Sequence, residues 1–242
     1  MSLIRRCVAV ALILPSLAAV APARAAGPET YGLDPVHTRV MFAVSHAGFS
    51  QAIGTVSGSR GRLSFDRADW RSARLEVEVP LTRLDLGDAK WNRAALAAKL
   101  LDGKRHPLAR FVSERVEPDP ADPDRAQVCG RLSLHGANRP LCLDVRLNAL
   151  KRHPLPPFRR TAGFSASARL SRADYGIDAW KSAIGDEVEL RIEAEAVRGA
   201  YLEPSAAEAV ETPAFDPPAD EPADPVPASQ PSAATTEPEP RR

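Results

Sequence analysis

The chain has 242 residues, 44% of them hydrophobic and 26% charged, with a formal net charge of +1. So even a balance gives no electrostatic reason to expect nucleic acid or an acidic surface as a partner. Only 5% of residues are aromatic, so a core has to be assembled from Leu, Val, Ile and Ala.

Arg5 and Arg6 precede an apolar run, CVAVALILPSLAAVAP, which ends at Pro22, and Ala23-Arg24-Ala25 follows. A charged start, a short apolar stretch and an A-x-A site are the layout of a secretory signal peptide, here cut after Ala25. Pro15 and Pro22 interrupt the run, and it falls short of the roughly 20 apolar residues of a spanning helix. Residues 1–25 are therefore expected to be removed on export. No later stretch is expected to span a bilayer, and the remainder is long enough for one domain with a real core.

From Tyr31 to Val197 apolar residues mostly alternate with others, the period of a strand with one wet face. RVMFAVSH puts Val40, Phe42, Val44 and His46 on one face. GRLSFD pairs Leu63 with Phe65. ARLEVEVP sends Leu75, Val77 and Val79 one way and Arg74, Glu76 and Glu78 the other. RFVSERVEP, a hairpin over Val128 to Leu150, AGFSASARLSR and EVELRIEAEAV complete about eight antiparallel strands. One segment departs from this: DAKWNRAALAAKLLDG, 88–103, has Trp91, Ala95, Leu96 and Lys99 at helical spacing and ends at Gly103, which predicts a helix. From 199 to 242 the chain is rich in Pro, Ala and acidic residues. It lacks the apolar side chains to offset ordering entropy, so this tail is expected to be disordered.

The hairpin LSLHGANRPLCLDV is expected to turn through GANRP, with Asn138 accepting a left-handed conformation and Pro140 opening the next strand. Cys129 and Cys142 are the cysteines left after signal removal, and an oxidising compartment invites a bridge. If Leu134 pairs with Leu141, the two sulfurs stand about four residues apart, on the order of 13 Å. A disulfide needs its Cα atoms within about 7 Å. Compartment and register point in opposite directions, and the pairing stays open.

A sheet with one wet face must close on itself or pack on another, so patterning predicts an exported barrel or sandwich. Small inward residues (Ala162, Ala166, Ala168, Gly130, Ala194) tilt the expectation from a packed core towards a cavity.

Four elements in order carry a resemblance. DPVHTRVMFAVSHAGFSQAIGTVSG, RHPLARF, LSLHGANRPLCLDV and DYGIDAWKSAIGDEVELRIEAEA together resemble the YceI-like family over Tyr31 to Val197. His106 departs from it, standing where an aromatic such as Tyr is usual. The resemblance implies an all-β, eight-stranded lipocalin-like barrel over 29–198 in the bacterial periplasm. It also implies an apolar ligand of the polyisoprenoid or quinone-like class, held in the barrel for transport, storage or stress protection. Phe42, Val44, Leu75, Val77, Phe111, Leu132, Leu134 and Phe164 are then the expected lining. His46, His135 and Arg139 are candidates for a polar head group, the last as a bidentate fork for phosphate. Each His also reads as satisfying a turn's backbone.

Two other readings remain. One is a periplasmic interaction or stress protein that carries no lipid. The other, less favoured, is a hydrolase. Against catalysis, no G-x-S-x-G, H-E-x-x-H or Cys beside a His appears. The five His are scattered without metal-ligand spacing. No cofactor and no metal is expected, and the barrel is expected to act as a monomer or homodimer.

Overall fold

The computed structural model describes residues 27–200. The expected signal peptide and almost all of the Pro-rich tail lie outside them. Eleven strands run in chain order: β1 Glu29–Leu33, β2 Arg39–His46, β3 Ser50–Ser57, β4 Arg60–Phe65, β5 Arg74–Pro80, β6 Leu84–Asp85, β7 Leu108–Pro118, β8 Arg125–Leu134, β9 Ala137–Arg152, β10 Arg160–Ser171 and β11 Ile184–Arg198. All form one antiparallel sheet in the order β1-β4-β5-β7-β8-β9-β10-β11-β2-β3-β6, and β1 also pairs with β11. That pairing closes a ring of eight strands, the barrel that the family resemblance implies and one of the two outcomes, barrel or sandwich, that alternation leaves open.

The closure is short. It consists of Tyr31↔Arg198, Gly32↔Val197 and Leu33↔Ala196. Further along, β11 leaves β1 and pairs with β2 from Glu193 to Val188 and at Ile184. β11 is thus shared, and β2, β3 and β6 extend as an arm over one end of the ring. Alternation explains which residues go inward. Leu75, Val77 and Val79 pack on the core while Arg74 and Glu76 stay exposed. The core includes Tyr31, Leu63, Phe65, Trp70, Phe111, Leu132, Leu143 and Leu147.

Two expectations are corrected. The β8–β9 hairpin turns two residues earlier than GANRP suggests. His135 and Gly136 form the turn, with φ of 52° and 79°, the paired left-handed conformation of a tight hairpin. Leu134 pairs with Ala137, and Asn138 and Pro140 are strand residues opposite Ser133 and Arg131. Ladder pairing shifts with the turn, so Cys129 faces Cys142 and the two form a disulfide with Cα atoms 4.0 Å apart. At Gly130 the neighbouring strand is so close that a Cβ would stand 2.1 Å from the carbonyl of Val112.

The helix over 88–103 is also shorter than its periodicity suggests. Asp88 caps α1, Ala89–Ala95, by accepting from the amides of Lys90 and Trp91 at 2.9 and 3.0 Å. Past Ala95 the ladder breaks into turns, with Leu101 N–H donating to the carbonyl of Ala95 and Gly103 N–H to that of Leu96. These turns let Leu96, Leu100 and Leu101 all reach the core, which a straight helix with a narrower apolar stripe would not allow.

Candidate functional site: an apolar barrel cavity

The barrel encloses a cavity of about 520 Å³, within the usual range for small-molecule sites. Inward side chains of nearly every strand line it. Phe42, Val44, Leu75, Val77, Phe111, Leu132, Leu134 and Phe164 all stand on its wall, as does His46. The connections between strands, α1 included, add lining that strand alternation does not reveal: Leu81, Leu86, Trp91, Leu100, Leu101 and Trp180. Among the described residues the wall is almost wholly apolar. Binding there would rest on removal of apolar surface from water, about 25 cal/mol per Å².

The two ends differ. At one, Phe65, Trp70 and Phe164 meet edge to face, with Phe65–Trp70 centroids 4.9 Å apart and Phe65–Phe164 5.5 Å. Trp70 is buried, and its indole N–H donates to the carbonyl of Pro123 at 3.2 Å. These rings plug the barrel. At the other end Trp91 and Trp180 both line the cavity, yet are 45% and 51% exposed. The cavity opens to solvent between them. His46, the last residue of β2, stacks at a tilt on Trp91 with ring centroids 5.3 Å apart, so of the three polar candidates it is the one on the wall, at the opening.

His135 and Arg139 are at the same end but off the cavity wall. His135 Nδ1 lies 2.9 Å from the carbonyl of Tyr175, and Arg139 Nε donates to the carbonyl of Asp174 at 2.9 Å. Together they clamp the 3-10 turn Ala173–Tyr175 against the β8–β9 hairpin. Burial, aided by the Asp174 charge, pushes the Tyr175 phenol up from its ordinary value. His106, the departure from the family pattern, packs its ring on His135 at 5.4 Å.

Arg172 is the site residue that sequence reasoning missed. It is 5% exposed and lines the cavity. Its guanidinium donates to three carbonyls: Gly185 at 2.8 Å, Ile177 at 2.7 Å and Ile184 at 2.9 Å. One side chain thereby holds the loop that carries Trp180. Alternation carries the inward face of AGFSASARLSR to its last residue, Arg172, but a charged residue at a strand end reads as solvated. Next to it, Asp186 is held below its ordinary range by the Ser171 hydroxyl, the Ala173 N–H and the Arg172 charge, against a burial effect of opposite sign.

A second titratable group lies off the cavity wall. Asp34, His37 and Glu195 each offer one ligand atom within 4.8 Å of the others, an arrangement able to hold a metal ion. Asp34 Oδ1 already accepts the amide of Val36 at 2.8 Å, and Oδ2 lies 2.7 Å from His37 Nδ1, so capping of the turn after β1 accounts for the acid. No helix among the described residues is long and apolar enough to cross a membrane.

A closed antiparallel barrel with an apolar interior, plugged at one end and open at the other, is the architecture of a small-ligand container. The YceI-like domain matches residues 31–196, and the chain belongs to the YceI-like family. A UPF0312 protein of Azotobacter vinelandii is 30% identical over 162 residues, which cover 67% of this chain and 82% of that protein. The fold is similar to that of Burkholderia cenocepacia BcnA, with a TM-score of 0.59 and 21% identity over 67% of this chain and 98% of that one. It is also similar to a polyisoprenoid binding domain from Saccharophagus degradans implicated in plant cell wall breakdown, with a TM-score of 0.51 and 16% identity over 69% of this chain and 98% of that domain.

Proposed function

We propose that this protein binds a long apolar lipid of the polyisoprenoid or quinone-like class in its barrel and carries or stores it in the bacterial periplasm. The observation that carries the reading is the cavity itself: about 520 Å³ with an apolar wall, blocked at one end and open at the other. An aqueous metabolite would lose hydrogen bonds on entering such a space. A hydrocarbon chain gains about 0.8 kcal/mol for each methylene buried. The polyisoprenoid binding domain with the same fold supports this ligand class, and the N-terminal signal pattern supports export. Phe42, Val44, Leu75, Val77, Phe111, Leu132, Leu134 and Phe164 are the wall that holds the chain. His46 at the opening is best placed to meet a polar head. His135 and Arg139, already bonded to backbone carbonyls, act by fixing that end of the barrel. The reading is binding rather than turnover.

Native mass spectrometry of the exported protein, purified without detergent, tests this, followed by solvent extraction of what it carries. A prenyl or quinone-type lipid near one per chain is the expected result. A protein that is empty and also refuses added prenyl alcohols and quinones overturns it in favour of an interaction protein.

A further inference from the structure

The opening of the cavity is ringed by aromatic side chains that the fold leaves uncovered. Trp91 on α1 and Trp180 on the loop before β11 are each about half exposed, and Phe49 is 92% exposed. Phe49 stands at the tip of the β2–β3 hairpin, where its N–H donates to the carbonyl of His46 at 3.0 Å. The same tip is bonded to the Trp180 loop, Ala47 N–H to the Ala183 carbonyl at 2.5 Å. His46 in turn stacks on Trp91. Three separate elements therefore bring three aromatic rings to one rim. Phe49 is not part of the cavity wall, so ligand contact does not account for it, and its exposure rules out core packing. Rings with this placement are favoured at the boundary between water and a bilayer.

The α1 side of that rim is positively charged. The segment 88–105 carries Lys90, Arg93, Lys99, Lys104 and Arg105 against Asp88 and Asp102, which is five positive and two negative charges, a net +3. The whole chain carries only +1. Asp88 is occupied in capping α1, and Asp102 pairs with Arg105. Lys90, Arg93, Lys99 and Lys104 are left without a carboxylate partner among the described residues. On the opposite side of the rim Lys181 and Asp178 pair at 3.5 Å, and Asp174 and Asp186 stand nearby, so the positive charge is confined to the α1 side.

We propose that this rim is a docking surface for an anionic phospholipid bilayer. Phe49, Trp91 and Trp180 enter the interfacial layer, Lys90 and Arg93 lie on the headgroups, and the cavity opens onto the lipid. The proposal rests on the reading of the cavity as a lipid container and adds where the lipid is exchanged. A chain passing between bilayer and barrel then never crosses open water.

The other end of the barrel supplies the internal control. The β9–β10 loop exposes Leu155 and Phe158 beside Lys151, Arg152, Arg159 and Arg160. It is cationic and apolar too, but none of these residues lines the cavity, and the Phe65–Trp70–Phe164 plug lies between. The two ends are on the order of 35 Å apart along β10 at a strand's rise per residue. A bilayer on that loop would leave the opening facing water.

The test is co-sedimentation with vesicles of phosphatidylethanolamine and phosphatidylglycerol, alongside vesicles of phosphatidylcholine alone. The expected result is binding to the first, weaker binding to the second, and loss of at least about tenfold in Phe49→Ser/Lys90→Glu/Arg93→Glu. The same triple variant takes up a prenyl alcohol delivered from cyclodextrin like the parent, which separates docking from the cavity itself. A parent that ignores anionic vesicles overturns the docking surface whatever it binds in solution. So does binding that survives the triple variant but falls in Leu155→Ser/Phe158→Ser. Quenching by brominated phospholipid reads the geometry without substitutions. The chain has three Trp, two on the rim and Trp70 buried at the plug. Bound protein whose fluorescence is unquenched refutes the proposal even if the triple variant misfolds.

Discussion

Ala166→Leu separates a cavity from a filled core by the sign of its effect. Ala166 stands in the middle of β10, in register with Val145 on β9 and Ile192 on β11, and all three line the cavity. The substitution adds three carbon atoms pointing into a space of about 520 Å³. At about 0.8 kcal/mol per methylene, filling empty space there is worth up to about 2.4 kcal/mol to the unliganded protein. Imperfect packing leaves about 1–2 kcal/mol, which raises Tm by about 3–6 °C in a domain of this size. The same three carbons are then denied to the ligand, so its affinity falls about 50-fold. Differential scanning calorimetry of ligand-free protein and a fluorescence titration with a prenyl alcohol read the two effects. In a packed core the added methylenes would instead cost about 1–3 kcal/mol. A lower Tm, or a higher Tm with unchanged affinity, refutes the reasoning.

Leu134→Glu, on the cavity wall beside the hairpin turn, abolishes lipid uptake or folding, and a soluble variant with parental lipid affinity would contradict its placement. Cys142→Ser opens a loop set by a sequence separation of 13 and lowers stability by about 3 kcal/mol in urea unfolding. Because Cys142 faces outward, ligand affinity stays at the parental value. Arg172→Met leaves three carbonyls without their donor. Hydrogen exchange in residues 177–185 rises well before any change in β7 or β8, at a cost of about 1–3 kcal/mol per stranded group. The Asp34–His37 pair gives a pH signature. The hydrogen bond and charge of Asp34 raise the His37 pKa, so its stabilisation is full below the ordinary value near 6.5 and fades as pH rises through the elevated one. For Asp34, burial acts to raise the pKa, but the His37 side chain and two backbone amides prevail and lower it, so its share is lost only in acid. Unfolding followed from pH 5 to 8 therefore declines less in His37→Ala than in the parent, by under about 1 kcal/mol because His37 is exposed.

The strands that alternate cleanly were legible because a one-sided sheet writes its geometry into every second residue. Leu75, Val77 and Val79 show it best. Three strands were not. β1 has five residues and β6 two, too short for a period to register. β3, SQAIGTVS, has an exposed Ile53 and a Gly54 whose missing side chain makes room for the ring of Phe42. The hairpin register failed at one residue. His135 takes a left-handed conformation that its identity does not announce, and every pairing after it, the disulfide included, moved with the turn. Much of the cavity wall followed from alternation, since inward and apolar are the same set in a barrel. Trp91 and Trp180 escaped because they lie outside the strands, where facing the cavity depends on tertiary contacts that no strand period encodes, and Arg172 because a charged residue at a strand end reads as solvated.

The shared strand β11 has a consequence for what the barrel can measure. Around the plug the wall is the bare eight-membered ring. Towards the opening β2, β3 and β6 are added to it, and Val40, Phe42, Val44, Ala52 and Leu84 extend the lining. The cavity then has a blind tip, and on the proposed lipid-binding reading a linear chain would enter tail first and stop at Phe65 and Phe164. Such a device sets no maximum length. Each added unit tightens the fit until the cavity is full, and further units simply hang outside. A ladder of homologous chains would climb and then level off, and the step at which it levels is the depth of the cavity in carbon atoms.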